Sequence, residues 1–596
     1  MAEQQETPEQ PQQDLLQVLG EIADNSQRLI HGITDRHCAS NGAASPDPLN
    51  LGSTVLELTA RILADPAPIL RAQLSLWQDY LRLWQNAGQR LLGQPVDPMI
   101  EPERSDRRFR DPAWDDHAVF DFIKQSYLLT SRWLVDTIND LDGFDDKTRQ
   151  KIDFYTRQFV DAMAPSNFVA TNPEVLRATL ESRGANLLHG LNHLLEDLAR
   201  GEGRLAIKMT DLEAFELGQN LALTPGKVIY QNDLMQLIQY VPSTEQVYRR
   251  PLLIIPPWIN KYYILDLRPK NSFIKYAVEQ GFTVFVISWV NPDERHAEKT
   301  FEDYMVEGPL AALDAIEQAT GERESNVIGY CLGGTLLACT LAYLAAKGER
   351  RIAAASFFTA LTDFAHPGEL GVFIDEEQLA AMDQMMAKRG YLEGREMATT
   401  FNMLRANDLI WSFVVNNYLL GKEPFPFDLL YWNSDSTRMP YAMHSFYLHK
   451  FYQENKLVEP GGITLCDVAI DLRKIRLPVY MLSTREDHIA PWATTYAATQ
   501  LYRGDTKFVL AGSGHIAGVV NPPTQQKYGY WTNDRLPPDP ADWLDGATEH
   551  PGSWWPDWAA WNAEKSGPRI PARQPGDGKL KPLEDAPGAY TRMRAS

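Results

Sequence analysis

The feature that most constrains this fold is a short apolar strand that runs into a Gly-x-Cys-x-Gly turn centred on Cys331. Val327 and Ile328 have the character of a buried strand, and the apolar residues 336–346 have the character of a helix. The residue between such a strand and helix is held in a strained turn, and only glycine fits beside it, as at Gly329 and Gly333. The pattern predicts a nucleophile elbow with Cys331 as the nucleophile. A small buried cysteine in a tight turn is the alternative interpretation.

Short apolar runs on both sides of this turn predict a parallel sheet. Helical patterns at 272–280 and 304–320 separate the earlier runs, and this alternation is typical of an α/β fold whose sheet is covered on both faces. Residues 227–231 and 235–241 precede the series and predict a β-hairpin. The predicted strands of the series are 252–255, 283–288, 326–328, 353–358, 479–482 and 508–510.

The chain is long enough for two domains. Residues 1–210 are predicted to form a mostly α-helical N-terminal domain, and its first residues, to about 12, are rich in Gln, Glu and Pro and predicted to be disordered. Residues 211–596 are predicted to form the catalytic domain. Its insertion at about 365–470 is far longer than a crossover needs and dense in aromatic residues, so it is predicted to be a helical cap over the site.

Two tryptophan-bearing segments are predicted to pack into cores. Residues 74, 77, 80, 81 and 84 fall on one helical face, and Trp77 and Trp84 are interpreted as core residues. Residues 552–561 carry too much aromatic area for a free tail, so we expect them to lie against the catalytic domain. Residues 571–587 are predicted to be extended or loose.

Charge and cysteine content exclude several classes of function. The formal net charge of −21 argues against nucleic-acid binding, which needs clustered Lys and Arg. Four scattered cysteines do not suit a disulfide framework or a zinc site, which favours a reducing compartment. The N-terminus lacks the pattern of a secretory signal, so a cytoplasmic location is expected. The uncharged residues 327–346 are long enough to span a membrane, but their glycines favour strand-turn-helix, and no transmembrane segment is expected.

An elbow nucleophile needs a base and a carboxylate, which in this sheet architecture follow it in the order nucleophile, acid, histidine. Asp487 follows the predicted strand 479–482, and His515 follows the predicted strand 508–510 between flanking glycines. Both therefore lie at carboxyl ends of neighbouring strands in sequence. His488 is the alternative base, and a merely packed histidine is the alternative interpretation of His515.

The tetrahedral oxygen of an acyl transfer needs two backbone N–H donors. By the usual arrangement these are the residue after the nucleophile, here Leu332, and a residue of the loop 256–260. Pro256 and Pro257 have no N–H, so the second donor is Trp258 or Ile259, and the sequence leaves that choice open.

Six motifs together resemble the class I polyhydroxyalkanoate synthases, which are members of the α/β-hydrolase superfamily. The resemblance covers about residues 95–590 and implies an α/β-hydrolase fold with a large helical cap insertion, preceded by a mostly α-helical N-terminal domain. The motifs are PPWINKYYILD at 256–266, GYCLGG at 329–334, FDLLYWN at 427–433, REDH at 485–488, GHIAG at 514–518 and GSWWPDW at 552–558.

The resemblance implies polymerisation of (R)-3-hydroxyacyl-CoA, most often a short chain such as 3-hydroxybutyryl-CoA, with release of CoA. It implies that Cys331 carries the growing chain as a thioester and that His515 generates the thiolate. Asp487 then activates the substrate's 3-hydroxyl or orients His515. CoA is part of the substrate and a product, so no cofactor and no metal are expected. The family further implies a homodimer at cytoplasmic polyester granules, with granule-coat proteins as candidate partners.

Two other functions are compatible with parts of this pattern. A cysteine-dependent hydrolase, such as a thioesterase or a dienelactone hydrolase relative, would share the elbow but is usually much shorter. A granule-coat or scaffold protein with a vestigial site would not need Cys331, Asp487 and His515 in order. The residues that bind CoA are not assigned by the sequence.

Overall fold

The computed structural model describes residues 67–94, 96–104, 106–141 and 143–594. Contacts divide the chain into two compact units, unit 1 with residues 1–211 and 401–425 and unit 2 with residues 212–400 and 426–596. The predicted disorder of the first residues, to about 12, lies outside the described residues. None of the helices in the described ranges is long and apolar enough to cross a membrane.

Unit 1 is helical in its described part, as predicted. Several of its helices begin at residues whose side chains cap them: Asp145 accepts hydrogen bonds from the backbone of Lys147 and Thr148, and Asn172 caps a helix with proline at its first position. The helices are α1 (Ala67–Leu91), α2 (Ala113–Asp116), α3 (Ala118–Asn139), α4 (Asp146–Ala162), α5 (Pro173–Glu181) and α6 (Ala185–Arg200).

Helix α1 packs through one side only. Leu83 is 1% exposed, and the Tyr80 hydroxyl lies 2.8 Å from Oγ1 of Thr130 on α3. The ring of Trp84 contacts that of Phe122 on α3, with centroids 4.7 Å apart, but Trp77 and Trp84 are 65% and 64% exposed, so the prediction that they are core residues is wrong. The periodicity correctly identified an apolar helical face, but the described residues leave that face largely uncovered.

Unit 2 is built on an eleven-stranded sheet with the order β15-β14-β13-β12-β7-β6-β4-β5-β2-β1-β17. The six central strands from β13 to β5 run parallel, and the β1–β2 hairpin continues the sheet antiparallel, as predicted. The strands are β1 (Gly226–Gln231), β2 (Met235–Tyr240), β3 (Gln246–Tyr248), β4 (Leu252–Ile255), β5 (Val284–Trp289), β6 (Ser325–Tyr330), β7 (Ile352–Phe358), β8 (Tyr391–Leu392), β9 (Met439–Pro440), β10 (Thr464–Leu465), β11 (Val468–Ala469), β12 (Val479–Thr484), β13 (Thr506–Ala511), β14 (Gly529–Thr532), β15 (Thr548–Pro551), β16 (Arg569–Pro571) and β17 (Glu584–Asp585).

Both faces of this sheet are buried under helices. On β4, Leu253 and Ile255 belong to one apolar core, while Leu252 and Ile254 belong to the other. The helices are α7 (Phe273–Glu279), α8 (Phe301–Met305), α9 (Ala311–Thr320), α10 (Leu332–Lys347), α11 (Glu376–Arg389), α12 (Gly394–Leu404), α13 (Asp428–Ser434), α14 (Tyr441–Tyr447), α15 (Trp492–Tyr496), α16 (Ala498–Leu501), α17 (Pro540–Asp545), α18 (Trp555–Lys565) and α19 (Ala589–Arg592).

The insertion at 365–470 is largely helical but does not form one body. Residues 401–425 belong to unit 1, where the Tyr418 hydroxyl donates to Asp197 Oδ2 at 2.6 Å and Asn186 Nδ2 donates to the Leu419 carbonyl at 2.7 Å. The chain therefore leaves unit 2 and re-enters it at residue 426. The bounds 365–470 of the cap insertion stay a prediction, and the pairing of these polar groups has no local sequence signature.

The C-terminal tryptophans pack against the sheet as expected. Trp554, Trp555 and Trp558 are at most 1% exposed, and Trp558 Nε1 donates to Ser356 Oγ on β7 at 3.0 Å. Residues 571–587 are predicted to be extended or loose, and their last part is extended. There β17 pairs antiparallel with β1 and adds an edge strand to the main sheet.

Candidate active site

Cys331 lies at the junction of β6 and α10 with φ 53° and ψ −121°, a backbone conformation that a non-glycine residue rarely adopts. Close backbone approach explains the glycines beside it. A Cβ on Gly333 would lie 2.0 Å from the carbonyl oxygen of Ile255, and a Cβ on Gly329 would lie 2.5 Å from Cα of Gly334. The turn has the geometry of a nucleophile elbow, with the side chain of Cys331 partly exposed at its tip.

The parallel register of β12 and β13 brings Asp487 and His515 together. The two strands pair from Val479 with Thr506 through Thr484 with Ala511, so the loops that follow them lie side by side. His515 Nδ1 lies 2.7 Å from Asp487 Oδ2. Both side chains are buried, with exposed fractions of 7% for His515 and 0% for Asp487.

The carboxylate of Asp487 is fully engaged by protein donors. Oδ1 accepts the backbone N–H groups of Ile489 and Ala490, each at 2.9 Å. Oδ2 accepts the hydroxyl of Thr484 at 3.1 Å in addition to its contact with His515. These bonds fix the orientation of the carboxylate toward the imidazole.

His515 also interacts with Cys331, which is the second group that raises the pKa of the imidazole. Asp487 occupies Nδ1, so Nε2 is the nitrogen that remains for the sulfur. Burial alone would lower the pKa of His515, but Asp487 and Cys331 outweigh it and raise the pKa to about 10. The ring also stacks on Tyr330, with centroids 5.8 Å apart. The alternative base, His488, follows Asp487 directly in the chain and stays a prediction.

The predicted oxyanion donors flank the elbow. Gly333, next to Leu332, abuts the carbonyls of Ile255 and Pro256, where the loop 256–260 begins. In the described part of the chain, the N–H groups of Trp258, Ile259 and Leu332 donate to no protein acceptor. The indole of Trp258 is buried, with Tyr304 at 4.9 Å and Trp289 at 5.7 Å between ring centroids.

Sequence reasoning missed an aromatic group beside the thiol. Tyr447 and Tyr452 interact electrostatically with Cys331, and burial together with this neighbour raises the pKa of each phenol. Phe364 packs on Tyr452 with centroids 4.9 Å apart, and on Phe451 at 5.7 Å. The aromatic density of the insertion pointed to a cap, but no spacing rule could select these four rings.

A second group that the sequence did not single out holds the loop 256–260. Lys261 Nζ lies 2.8 Å from Asp435 Oδ1 with side-chain exposures of 3% and 4%, and Thr437 binds the backbone of the loop. Among the described residues, no cluster of three or more His, Cys, Asp or Glu side chains could hold a metal ion. Cys331, Cys339 and Cys466 are free thiols.

Comparison with known proteins gives two family matches. Residues 105–277 match the family described as Poly-beta-hydroxybutyrate polymerase (PhaC) N-terminus, and residues 251–522 match the alpha/beta hydrolase fold. A poly(3-hydroxyalkanoate) polymerase of Methylorubrum extorquens is 53% identical over 93% of this chain and 91% of its own length. The polymerase subunit of Rhizobium meliloti is 52% identical over 91% of this chain and 88% of its own length. That of Cupriavidus necator is 43% identical over 91% of each chain.

Proposed function

Because this chain belongs to the poly(3-hydroxyalkanoate) polymerase family and is an acyltransferase with an α/β-hydrolase fold, we propose that it builds polyester through an acyl thioester on Cys331. The substrate in this proposal is an (R)-3-hydroxyacyl-CoA. The observation that carries the proposal is a single imidazole, His515, whose Nδ1 lies 2.7 Å from Asp487 Oδ2 and which interacts with the elbow cysteine.

Before the first step the proton of the Cys331 thiol rests on His515, whose raised pKa favours the imidazolium, and the thiolate attacks the thioester carbonyl of the substrate. The carbonyl π electrons move to oxygen, where the Leu332 N–H and a donor of the loop 256–260 bind the charge. When the C–O double bond re-forms, the bond to the CoA sulfur breaks. CoA leaves with the proton that His515 held, and the acyl group remains on Cys331.

In the second step a 3-hydroxyl group attacks the acyl thioester and forms the ester bond of the polymer. His515 accepts the hydroxyl proton, and the sulfur of Cys331 leaves as the thiolate. Asp487 acts by orienting His515, since its four hydrogen bonds and full burial leave no oxygen for the substrate. Ester formation from a thioester is energetically downhill, so growth needs no ATP.

Water is the competitor for the same acyl thioester, and the aromatic group around Cys331 would exclude it. This group consists of four rings in edge and stacked contacts, with centroids of contacting rings 4.9–6.0 Å apart. Its members are Phe364, Tyr447, Phe451 and Tyr452. Large rigid rings beside the thiol also favour a short acyl chain, such as 3-hydroxybutyryl. Loss of a ring, as in Phe364→Ala, is expected to raise the ratio of free hydroxy acid to polymer, and an unchanged ratio would contradict the water-exclusion role.

The product is an insoluble polyester, and α1 supplies an apolar surface suited to it. Its exposed residues recur every three or four positions and form a stripe, namely Leu70, Leu74, Trp77, Leu81 and Trp84. This stripe is proposed to bind the granule surface. Replacement of Leu74, Trp77 and Leu81 by Ser should move enzyme from sedimented polymer to supernatant without changing the initial rate of CoA release. Unchanged sedimentation would remove the role.

The decisive experiment incubates the purified chain with (R)-3-hydroxybutyryl-CoA and follows both CoA release and insoluble polyester. The expected result is release with polymer in the wild type and neither in Cys331→Ala. CoA release with only free hydroxy acid would transfer the assignment to a cysteine-dependent thioesterase. Parallel reactions with (R)-3-hydroxydecanoyl-CoA measure the preference for chain length.

A further inference from the structure

The loop 256–260 is fastened to a segment that lies far away in sequence. The hydroxyl of Thr437 donates to the carbonyl of Trp258, and the backbone N–H of Thr437 donates to the carbonyl of Ile259 at 3.3 Å. Asn260 and Ser436 form an isolated antiparallel bridge. Thr437 is 2% exposed, so solvent does not compete for these bonds.

These contacts set the direction of one particular N–H group. The carbonyl of Trp258 and the N–H of Ile259 belong to one planar trans peptide and point in opposite directions. A hydrogen bond from Thr437 to that carbonyl therefore also fixes the Ile259 N–H. The N–H of Trp258 belongs to the preceding peptide, whose carbonyl, that of Pro257, Thr437 does not contact. Of the two candidates, Ile259 is the donor with the pre-set orientation.

A buried ion pair also links the loop 256–260 to the segment that contains Thr437, because Lys261, the residue after the loop, contacts Asp435. Asp435 Oδ1 forms an ion pair with Lys261 Nζ at 2.8 Å, and Asp435 Oδ2 accepts from the Tyr263 hydroxyl at 2.9 Å. The indole of Trp432 donates to the Lys261 carbonyl at 2.7 Å. A buried ion pair contributes little net stability because desolvation offsets the attraction, but it tolerates only a narrow geometry.

We propose that Thr437 and Asp435 are positioning residues that fix the Ile259 N–H as the second donor to the oxygen of the acyl group. The inference rests on the proposed function, since it assumes acyl transfer at Cys331. It adds the identity of the donor and the residues that orient it. When the thiolate adds to the carbonyl and charge collects on oxygen, a donor already aimed at that oxygen stabilises the transition state without reorganisation.

The test compares Thr437→Val, which keeps the shape but removes the hydroxyl, with Thr437→Ser, which keeps the hydroxyl. Thr340→Val is the matched control, because Thr340 is equally buried and its hydroxyl donates to Leu336 within α10. For each variant kcat and KM of CoA release are measured with (R)-3-hydroxybutyryl-CoA, together with the rate of Cys331 alkylation by iodoacetamide.

Thr437→Val is expected to lower kcat by about 10- to 100-fold with little change in KM, since oxyanion donors act on the transition state. Its alkylation rate should equal that of the wild type, because His515 and Asp487 are untouched. Thr437→Ser and Thr340→Val should stay within about threefold of wild-type kcat. A parallel fall in alkylation would mean general distortion of the site and would overturn the proposal.

Two further outcomes would also overturn it: a fully active Thr437→Val, or a Thr437→Ser as impaired as Thr437→Val. Failure of the proposed function is distinguishable from these. If Cys331→Ala still releases CoA, the acyl-enzyme itself is absent. If Cys331→Ala is inactive and Thr437→Val is fully active, only the positioning role fails.

Discussion

Unit 2 buries charged side chains in its interior, and unit 1 exposes large apolar side chains on its surface. Both arrangements are the reverse of what is usual in a folded protein. Around the elbow, Lys261, Asp435, Asp487 and His515 are buried. On α1, large apolar side chains including Trp77 are more than half exposed. Each arrangement costs free energy, the first through desolvation of charge and the second through hydration of apolar area.

The two arrangements differ in whether other groups of the same unit offset their cost in free energy. The buried charges around the elbow have charged or hydrogen-bonding partners within unit 2, such as Asp435 with Lys261 and Tyr263. The apolar stripe of α1 has little covering it among the described residues. A cost compensated internally indicates a device that works inside the fold, whereas the proposed granule-binding role of α1 would place its compensation on another surface.

The largest effect is expected from breaking the internal compensation. Lys261→Met should leave Asp435 buried without its cation and lower the free energy of unfolding by about 3–5 kcal/mol. The double variant Lys261→Met, Asp435→Leu should recover much of that loss, because no charge is then buried. Urea unfolding of the three proteins measures this, and a single variant as stable as the wild type would break the comparison.

The pair of Asp487 and His515 should contribute a pH-dependent term on the order of 3 kcal/mol to the free energy of unfolding. The folded pKa of His515 is raised to about 10, above its unfolded value, so this stability is fully present below about pH 6.5 and is lost as pH rises toward 10. The stability advantage of the wild type over Asp487→Asn should therefore shrink from pH 6 to pH 10. An advantage that stays constant over this range would contradict the assigned charge state.

His444 tests a buried histidine whose pKa is shifted in the opposite direction to that of His515. Burial lowers its pKa to about 4, so the neutral ring contributes stability above about pH 6.5 that is lost as pH falls toward 4. His444→Leu should lose roughly 2 kcal/mol less than the wild type between pH 7 and pH 4. The thermal midpoints of both proteins across this range measure the difference, and parallel curves would count against it.

The smallest effect is expected on α1 and sharpens the comparison within a single helix. Trp77→Ala should change the free energy of unfolding by less than about 0.5 kcal/mol, because its side chain is mostly exposed. Leu83→Ala, on the packed side of the helix, should cost about 2–5 kcal/mol. Equal losses in the two variants would show that the exposed face is covered in the folded protein.

The central strands and the nucleophile region follow closely from the sequence. The predicted strand 252–255 coincides with β4, and the other five runs lie within one residue or two of β5, β6, β7, β12 and β13. Strands buried on both faces are apolar throughout, which makes them conspicuous. Chain order at the strand ends then sufficed to select Asp487 and His515, whose proximity the structure bears out.

Contacts between distant segments could not be predicted in this way. Lys261 lay inside a recognised motif, but its partner Asp435 is remote in sequence and sits in a polar stretch with no periodicity. Trp77 and Trp84 show the complementary limit, because an amphipathic pattern defines an apolar face without stating what covers it. Strand β17 consists of one Glu and one Asp, which carry no strand propensity at all.

That last strand has a practical consequence for anyone who shortens or fuses this chain. Glu584 and Asp585 occupy the outer edge of the main sheet beside β1, and their carboxylates blunt an edge that would otherwise expose free backbone donors and acceptors. Truncation before residue 584 would uncover β1 as a template for pairing between molecules. Strand β17 therefore protects the sheet edge against aggregation, and a tag fused after it should leave residues 583–586 intact.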